Sequence, residues 1–186
     1  MTSWLRVDQA ARIILNGGVV AYPTEAVYGI GCLPENDVAL ARVIAIKLRD
    51  TRKGLIVVAA TREQLEPLAE LPGGEIGRRI QATWPGPVTW IVPARRGVSA
   101  LLTGGRPTLA VRVSDHPIVS RLCRRTGSAL VSTSANHSGR QPARSALAVR
   151  KRLGAEVDFV LSGPLGTMAR PTEIRDAASG AVLRAG

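Results

Sequence analysis

The sequence predicts a single α/β domain built around an open, twisted, mixed sheet with flanking helices. Three observations predict it. A length of 186 residues suits one hydrophobic core. Helix-period segments and short apolar strand-type runs alternate along the chain. No linker-like stretch and no internal repeat interrupts that alternation, so residues 1–186 read as one domain.

Taken in order, residues 7–15 form an amphipathic helix ended by Asn16, Gly17 and Gly18. Residues 19–22 are a short apolar strand running into Pro23. Residues 37–48 are helical, with Val38, Ala41, Ile44 and Ala45 on the apolar face. Residues 54–60 are a continuous apolar strand of the buried type. Thr61 caps a helix reaching Ala69, with Gln64 completing a capping box. Another helix covers 75–83 and stops at Pro85-Gly86-Pro87. Strands follow at 88–92 and 109–113, and Asp115 caps a helix to Arg125. Residues 128–132 are a strand, 145–153 a helix, and 159–161, 172–176 and 182–184 short strands. The stretches 95–106 and 163–170 are the most loop-like.

The composition, 45% hydrophobic and 21% charged, is that of an ordinary globular chain. No apolar run is long enough to span a bilayer, and residues 1–12 lack a signal-peptide core, so a cytoplasmic location away from membranes is expected. Cys32 and Cys123 form no CxxC pair, and His116 and His137 stand at no metal-ligand spacing to them, so two reduced, buried thiols are expected and no metal site. The formal net charge of +11 points to an anionic partner, a nucleotide or a nucleic acid, although 22 of the 25 basic residues are Arg and a solvated Arg-rich surface explains the excess equally well. Aromatics at 3% argue against a stacking platform for single-stranded RNA.

No GxxxxGK[ST], GxGxxG or GxSxG motif occurs, and no Ser-His-Asp set is evident. Four other stretches place hydroxyls and cations at strand ends. Residues 22–29 (YPTEAVYG) bring Thr24 and Tyr28 to the end of a strand, where open α/β sheets bind ligands, or they are an ordinary strand-turn-helix connection. Residues 47–54 (KLRDTRKG) hold Lys47, Arg49, Arg52 and Lys53, enough to surround a triphosphate or to form a solvated loop. Residues 132–139 (STSANHSG) offer Ser132, Ser134 and Asn136, residue types that bind phosphate, ribose or carboxylate and also favour turns. Arg112 lies within a strand and, if it points inward, needs an anion: a ligand, Asp115 or Glu173. Together the four fit a broad anion-binding cleft better than a nucleophilic active site.

The succession PTEAVYG, KLRDTRKG, TLAVRVSDHP, LVSTSAN-SG, PTEIRD and VLRAG resembles the YrdC-type threonylcarbamoyl-AMP synthase family over nearly the whole chain, in its short single-domain bacterial (TsaC-like) form. The resemblance implies a YrdC-like sheet with a large, basic concave cleft. It implies synthesis of threonylcarbamoyl-AMP and pyrophosphate from L-threonine, bicarbonate and ATP, with Mg2+ accompanying ATP. A downstream threonylcarbamoyl-transferase complex would then modify an adenosine beside the tRNA anticodon. Apart from the resemblance, a basic cleft that binds ATP can also attract tRNA or double-stranded RNA. Carried onto this sequence, Thr24, Arg112, Ser132 and Thr172 fall to L-threonine. Lys47, Arg49, Lys53, Thr108, Ser134, Asn136 and Arg184 fall to ATP, and Lys53 and Arg112 carry the electrostatic catalysis. The family often reads K-x-R-P where this chain has Asp50, which removes a rigid turn and adds a negative charge beside Arg49. Glu25 is a candidate contributor to a metal site, and the loops 95–106 and 163–170 are candidates for a closing lid. The rival readings are an RNA-binding module without ATP turnover and a carbamoyl-transfer enzyme using another amine or carbamoyl donor.

Overall fold

The computed structural model describes residues 3–186. The expected mixed sheet divides into two. The first consists of β1 (Val20–Pro23), β2 (Tyr28–Gly31), β7 (Thr133–Ser134) and β8 (Phe159–Val160), in the order β7-β2-β1-β8. The second runs β10-β9-β4-β5-β3-β6, from β3 (Ile56–Ala59), β4 (Val88–Pro93), β5 (Thr108–Val113), β6 (Leu130–Val131), β9 (Glu173–Asp176) and β10 (Val182–Arg184). Both sheets are mixed: β1 is antiparallel to β2 and parallel to β8, while β3 is parallel to β5 and antiparallel to β6.

Two apolar layers hold the sheets. Tyr28, Ile30, Val57, Trp90 and Val111 join one large core with Leu40 and Val43 of α2 (Asp37–Ile46). On the other side, Val7, Ala10 and Ile14 of α1 (Trp4–Leu15) pack with Ile118 and Leu122 of α5 (Pro117–Thr126) over Val20, Tyr22 and Val58. The sheets also touch through polar groups. The buried Tyr22 hydroxyl donates to Val131 O at 2.9 Å, and Ser132 N donates to Ile56 O at 2.8 Å. The approach is close enough that a Cβ on Gly31 would sit 1.8 Å from Val131 O. Helices α3 (Gly74–Gln81), α4 (Ala100–Thr103) and α6 (Ala146–Leu153) complete the layers.

Three local expectations are corrected. The buried face of α2 is Ala39, Leu40, Val43, Ile44 and Ile46, whereas Val38 is 75% exposed. Asn36 starts the helix, its side chain accepting from Ala39 N at 2.9 Å, and the face that packs into the large core is that of Leu40 and Val43. The 61–69 helix is only a 3-10 turn, Glu63–Leu65. Gln64 does not cap it: its amide accepts from Ala60 N and donates to Cys123 O, fastening the strand end to α5. The cap of α5 is His116, not Asp115, with Pro117 as the first helical residue. The short strand β2 and helix α4 were not foreseen. Cys32 and Cys123 are buried free thiols, each pushed up to about 12 chiefly by desolvation, and are inert at neutral pH.

Candidate functional site

The carboxyl end of β1, strands β3 and β5, the loop after β6 and the C-terminal residues converge on one cleft. Its first lobe, about 160 Å³, is lined by Thr24, Arg49, Arg112, Ser132, Ser134, Thr172 and Arg184. Through Arg49, Ile56 and Arg184 it adjoins a second lobe of about 150 Å³, lined also by Lys53, Arg106 and Thr108.

The inner end of the first lobe is built on a buried ion pair. Arg112, 4% exposed, donates from Nη2 to Glu25 Oε2 at 3.0 Å and from Nη1 to the hydroxyls of Thr172 at 2.7 Å and Thr89 at 3.2 Å. The partner is thus Glu25. Neither carboxylate that the sequence offered serves, and Glu173 pairs with Arg175 at 2.7 Å instead. The other Glu25 oxygen accepts from Ser114 Oγ at 2.6 Å, and Ser114 Oγ accepts in turn from His116 N at 3.2 Å. Five guanidinium N–H groups therefore meet three protein acceptors, and Nε has none. Because Glu25 offsets the Arg112 charge, this end is close to electrically neutral and rich in hydroxyls. Thr24 Oγ1 donates to Val27 O at 2.7 Å, which fixes the turn between β1 and β2.

The outer end is different. Arg49 Nε donates to Gly54 O at 3.0 Å, Arg184 donates from Nε and Nη2 to Thr172 O at 3.2 and 2.6 Å, and Arg106 donates to Arg52 O at 2.7 Å. All three meet carbonyls rather than carboxylates, and Lys53 is exposed on the rim. Burial first, then neighbouring cations, hold both Arg49 and Arg184 below the usual guanidinium range: Arg106 acts on Arg49, and Arg112 and Arg49 act on Arg184. Asp50 offsets this end only in part, its charge acting on Arg49 more weakly than burial and Arg106 do. Its carboxylate caps the 3-10 turn Thr51–Lys53 by accepting from Arg52 N at 3.0 Å, and it pairs with the Arg52 guanidinium at 2.9 Å. An arrangement of uncompensated cations in a partly desolvated lobe favours a polyanion.

Of the residues singled out from sequence, Thr24, Arg49, Arg112, Ser132, Ser134, Thr172 and Arg184 share the first lobe, and Lys53 and Thr108 line the second. Lys47 and Asn136 line neither. Lys47 is 2% exposed, and its ammonium donates to the carbonyls of Ser134 and of Asn136, the latter at 2.9 Å. The Asn136 amide donates to His137 O and Arg140 O at 2.8 and 2.7 Å, closing the turn that follows. Arg106, Pro142 and Pro171 line the cleft and were missed. Pro171 stands beside Thr172 in the same motif, while nothing local marks Pro142. Residues 163–170 are pinned rather than free. The Tyr28 hydroxyl donates to Gly163 O at 2.7 Å, Gly166 N to Thr24 O at 3.0 Å and Met168 N to Glu25 O at 3.2 Å.

Glu25, the carboxylate considered from sequence for a metal, is 4% exposed with one oxygen on Arg112 and the other on Ser114. Among the described residues no group of three or more His, Cys, Asp or Glu side chains is placed to hold a metal ion.

Comparison with known proteins places this arrangement. The Sua5/YciO/YrdC family model, described as "Telomere recombination", matches residues 12–186. A threonylcarbamoyl-AMP synthase of Halorhodospira halophila is 53% identical over 180 residues, covering 96% of this chain and 94% of the relative. One from Alkalilimnicola ehrlichii is 50% identical over 188 residues, covering 99% and 97%. The crystal structure of P. abyssi Sua5 complexed with L-threonine superposes with a TM-score of 0.91 at 30% identity over 98% of this chain, which spans about half of that longer protein, 54%.

Proposed function

We propose how the cleft divides its substrates from the premise that the chain belongs to the Sua5/YciO/YrdC family and makes threonylcarbamoyl-AMP. The activity joins L-threonine, bicarbonate and ATP and releases pyrophosphate. L-Threonine takes the inner, hydroxyl-rich end, with its carboxylate on Arg112 and its polar groups among Thr24, Ser132 and Thr172. The ATP phosphates take the outer end, among Arg49, Lys53 and Arg184, with Thr108 and Ser134 beside them. The observation that carries this reading is the contrast in charge along one continuous cleft: a compensated Arg112 at one end and carboxylate-free arginines at the other. That the P. abyssi protein was solved with L-threonine supports threonine as a substrate.

The neutral amine of threonine forms a bond to the carbon of CO2 and gives up a proton to water, or to that of bicarbonate with loss of water, to give N-carboxythreonine. Its carboxylate oxygen then forms a bond to the α-phosphorus, and the bond from that phosphorus to the bridging oxygen breaks to release pyrophosphate. The attacking group is already an anion, so the protein needs no nucleophile of its own. What it must do is hold two anions within reach and stabilise the charge that accumulates on the phosphates. Arg49, Arg184 and Lys53 do the second, and Arg112 with the hydroxyls does the first. Mg2+ would enter as a companion of ATP rather than as a resident of the chain, because the cleft lining offers no carboxylate to hold it. When bound it would neutralise phosphate charge.

Downstream, the adenylate passes to a transferase complex acting on tRNA, and the unpaired cations around the cleft suit direct contact with tRNA or double-stranded RNA. Among the described residues no helix is long and apolar enough to cross a membrane. The test is pyrophosphate release from ATP with L-threonine and bicarbonate omitted in turn. Release requiring both is expected. Release indifferent to threonine would indicate another amine or donor. No release, with salt-dependent RNA binding, would favour a binding module.

A further inference from the structure

Lys47 sits in the motif that sequence reading assigns to the ATP phosphates, yet its ammonium is turned away from both lobes of the cleft. Its three N–H donors meet three acceptors: the carbonyl of Ser134, the carbonyl of Asn136 at 2.9 Å, and more distantly Ser134 Oγ at 3.5 Å. None is left for a ligand. The Lys47 main chain grips the same loop, because Ser138 N donates to Lys47 O at 2.7 Å. The backbone separates Lys47, at the helical end of α2, from Arg49. Leu48 is in the left-handed region, φ 48°, so the chain turns sharply between Lys47 and Arg49. Lys47 then reaches back to residues 134–138, and Arg49 reaches into the cleft.

We propose that Lys47 is a positioning residue: its buried ammonium locks the carbonyls on either side of Ala135 and thereby sets the cleft-facing hydroxyls of Ser132 and Ser134. The inference rests on the assignment of the cleft to threonine and ATP. It separates two lysines six positions apart in one motif, with Lys53 touching phosphate and Lys47 bracing the opposite wall.

Two measurements test it. The chain has only three lysines, Lys47, Lys53 and Lys151, so lysine-selective isotope labelling of the wild-type protein gives a side-chain NMR spectrum simple enough to assign. Inorganic triphosphate should shift the Lys53 signal and leave Lys47 in place. A Lys47 response larger than that of Lys53 would make Lys47 a phosphate contact and overturn the inference. If neither lysine responds, the substrate assignment of the cleft fails and takes the inference with it. The second measurement is L-threonine binding without nucleotide. Lys47→Met should weaken it by about tenfold to a hundredfold through misplacement of the Ser132 wall, while Lys53→Ala leaves it unchanged. Wild-type threonine affinity in folded Lys47→Met, with only the ATP KM raised, would contradict a positioning role. Should Lys47→Met not fold, the wild-type spectrum alone decides.

Discussion

The two ends of the cleft hold their arginines in opposite ways. At the inner end Arg112 is buried, paired with Glu25 and fixed by two threonine hydroxyls. At the outer end Arg49 and Arg184 rest on carbonyls and repel one another. The first arrangement gives orientation with little net charge. The second gives charge at some cost to the unliganded protein. That is the difference expected between a site that must aim one small amino acid and a site that must hold a triphosphate.

The comparison breaks most severely at the inner end. Arg112→Ala strands the Glu25 carboxylate at 4% exposure, so thermal or urea unfolding should show a loss of about 3–5 kcal/mol together with loss of threonine binding. Replacing both members, as in Arg112→Met with Glu25→Leu, should restore much of the stability and none of the activity, because the pair is kept for its geometry. At the outer end, Arg49→Met or Arg184→Met removes a repulsive cation and no ion pair. The melting temperature should hold or rise slightly, while the ATP KM in a pyrophosphate assay rises about tenfold to a hundredfold. Smaller still is Tyr28→Phe, which deletes the hydroxyl held by Gly163. About 1 kcal/mol should be lost, and amide exchange should quicken at residues 163–166.

Lys47 sharpens the comparison through pH. Burial, and secondarily the nearby Arg49 charge, lower its ammonium to about 8 from 10.5. Between those values the unfolded chain binds more protons than the fold, so this group's contribution to stability is present above pH 10.5 and lost as pH falls through about 8. Urea midpoints measured from pH 8 to 10.5 should show that rising component in wild type and lack it in Lys47→Met. A flat difference between the two proteins would mean the ammonium is solvated.

Much of this cleft was legible in sequence because its residues stand at strand ends, where apolar runs give way to Thr, Ser and Arg. That pattern pointed to Thr24, Ser132 and Ser134, while Thr172 and Arg184 came only from the family resemblance; all five line the first lobe. It did not pair Arg112 with Glu25, since 87 residues separate them and nearer carboxylates competed. Nor did it separate Lys47 from Lys53, because Lys47 still belongs to the end of α2 and the left-handed Leu48 redirects only the chain that follows it. The α2 face was misread for a similar reason. Its residues are almost all apolar, so periodicity alone could not fix which face packs into the core. The 61–69 segment had a plausible capping pattern, but Gln64 found stronger tertiary partners in Ala60 and Cys123.

The division of the cleft is tested most directly by titrating ATP and L-threonine separately against the wild-type protein across a range of ionic strength. Contacts with uncompensated cations weaken steeply as salt rises, whereas hydrogen bonds around a neutralised pair do not. ATP affinity should therefore fall strongly with salt while threonine affinity stays nearly constant. Threonine binding as salt-sensitive as that of ATP would contradict the account.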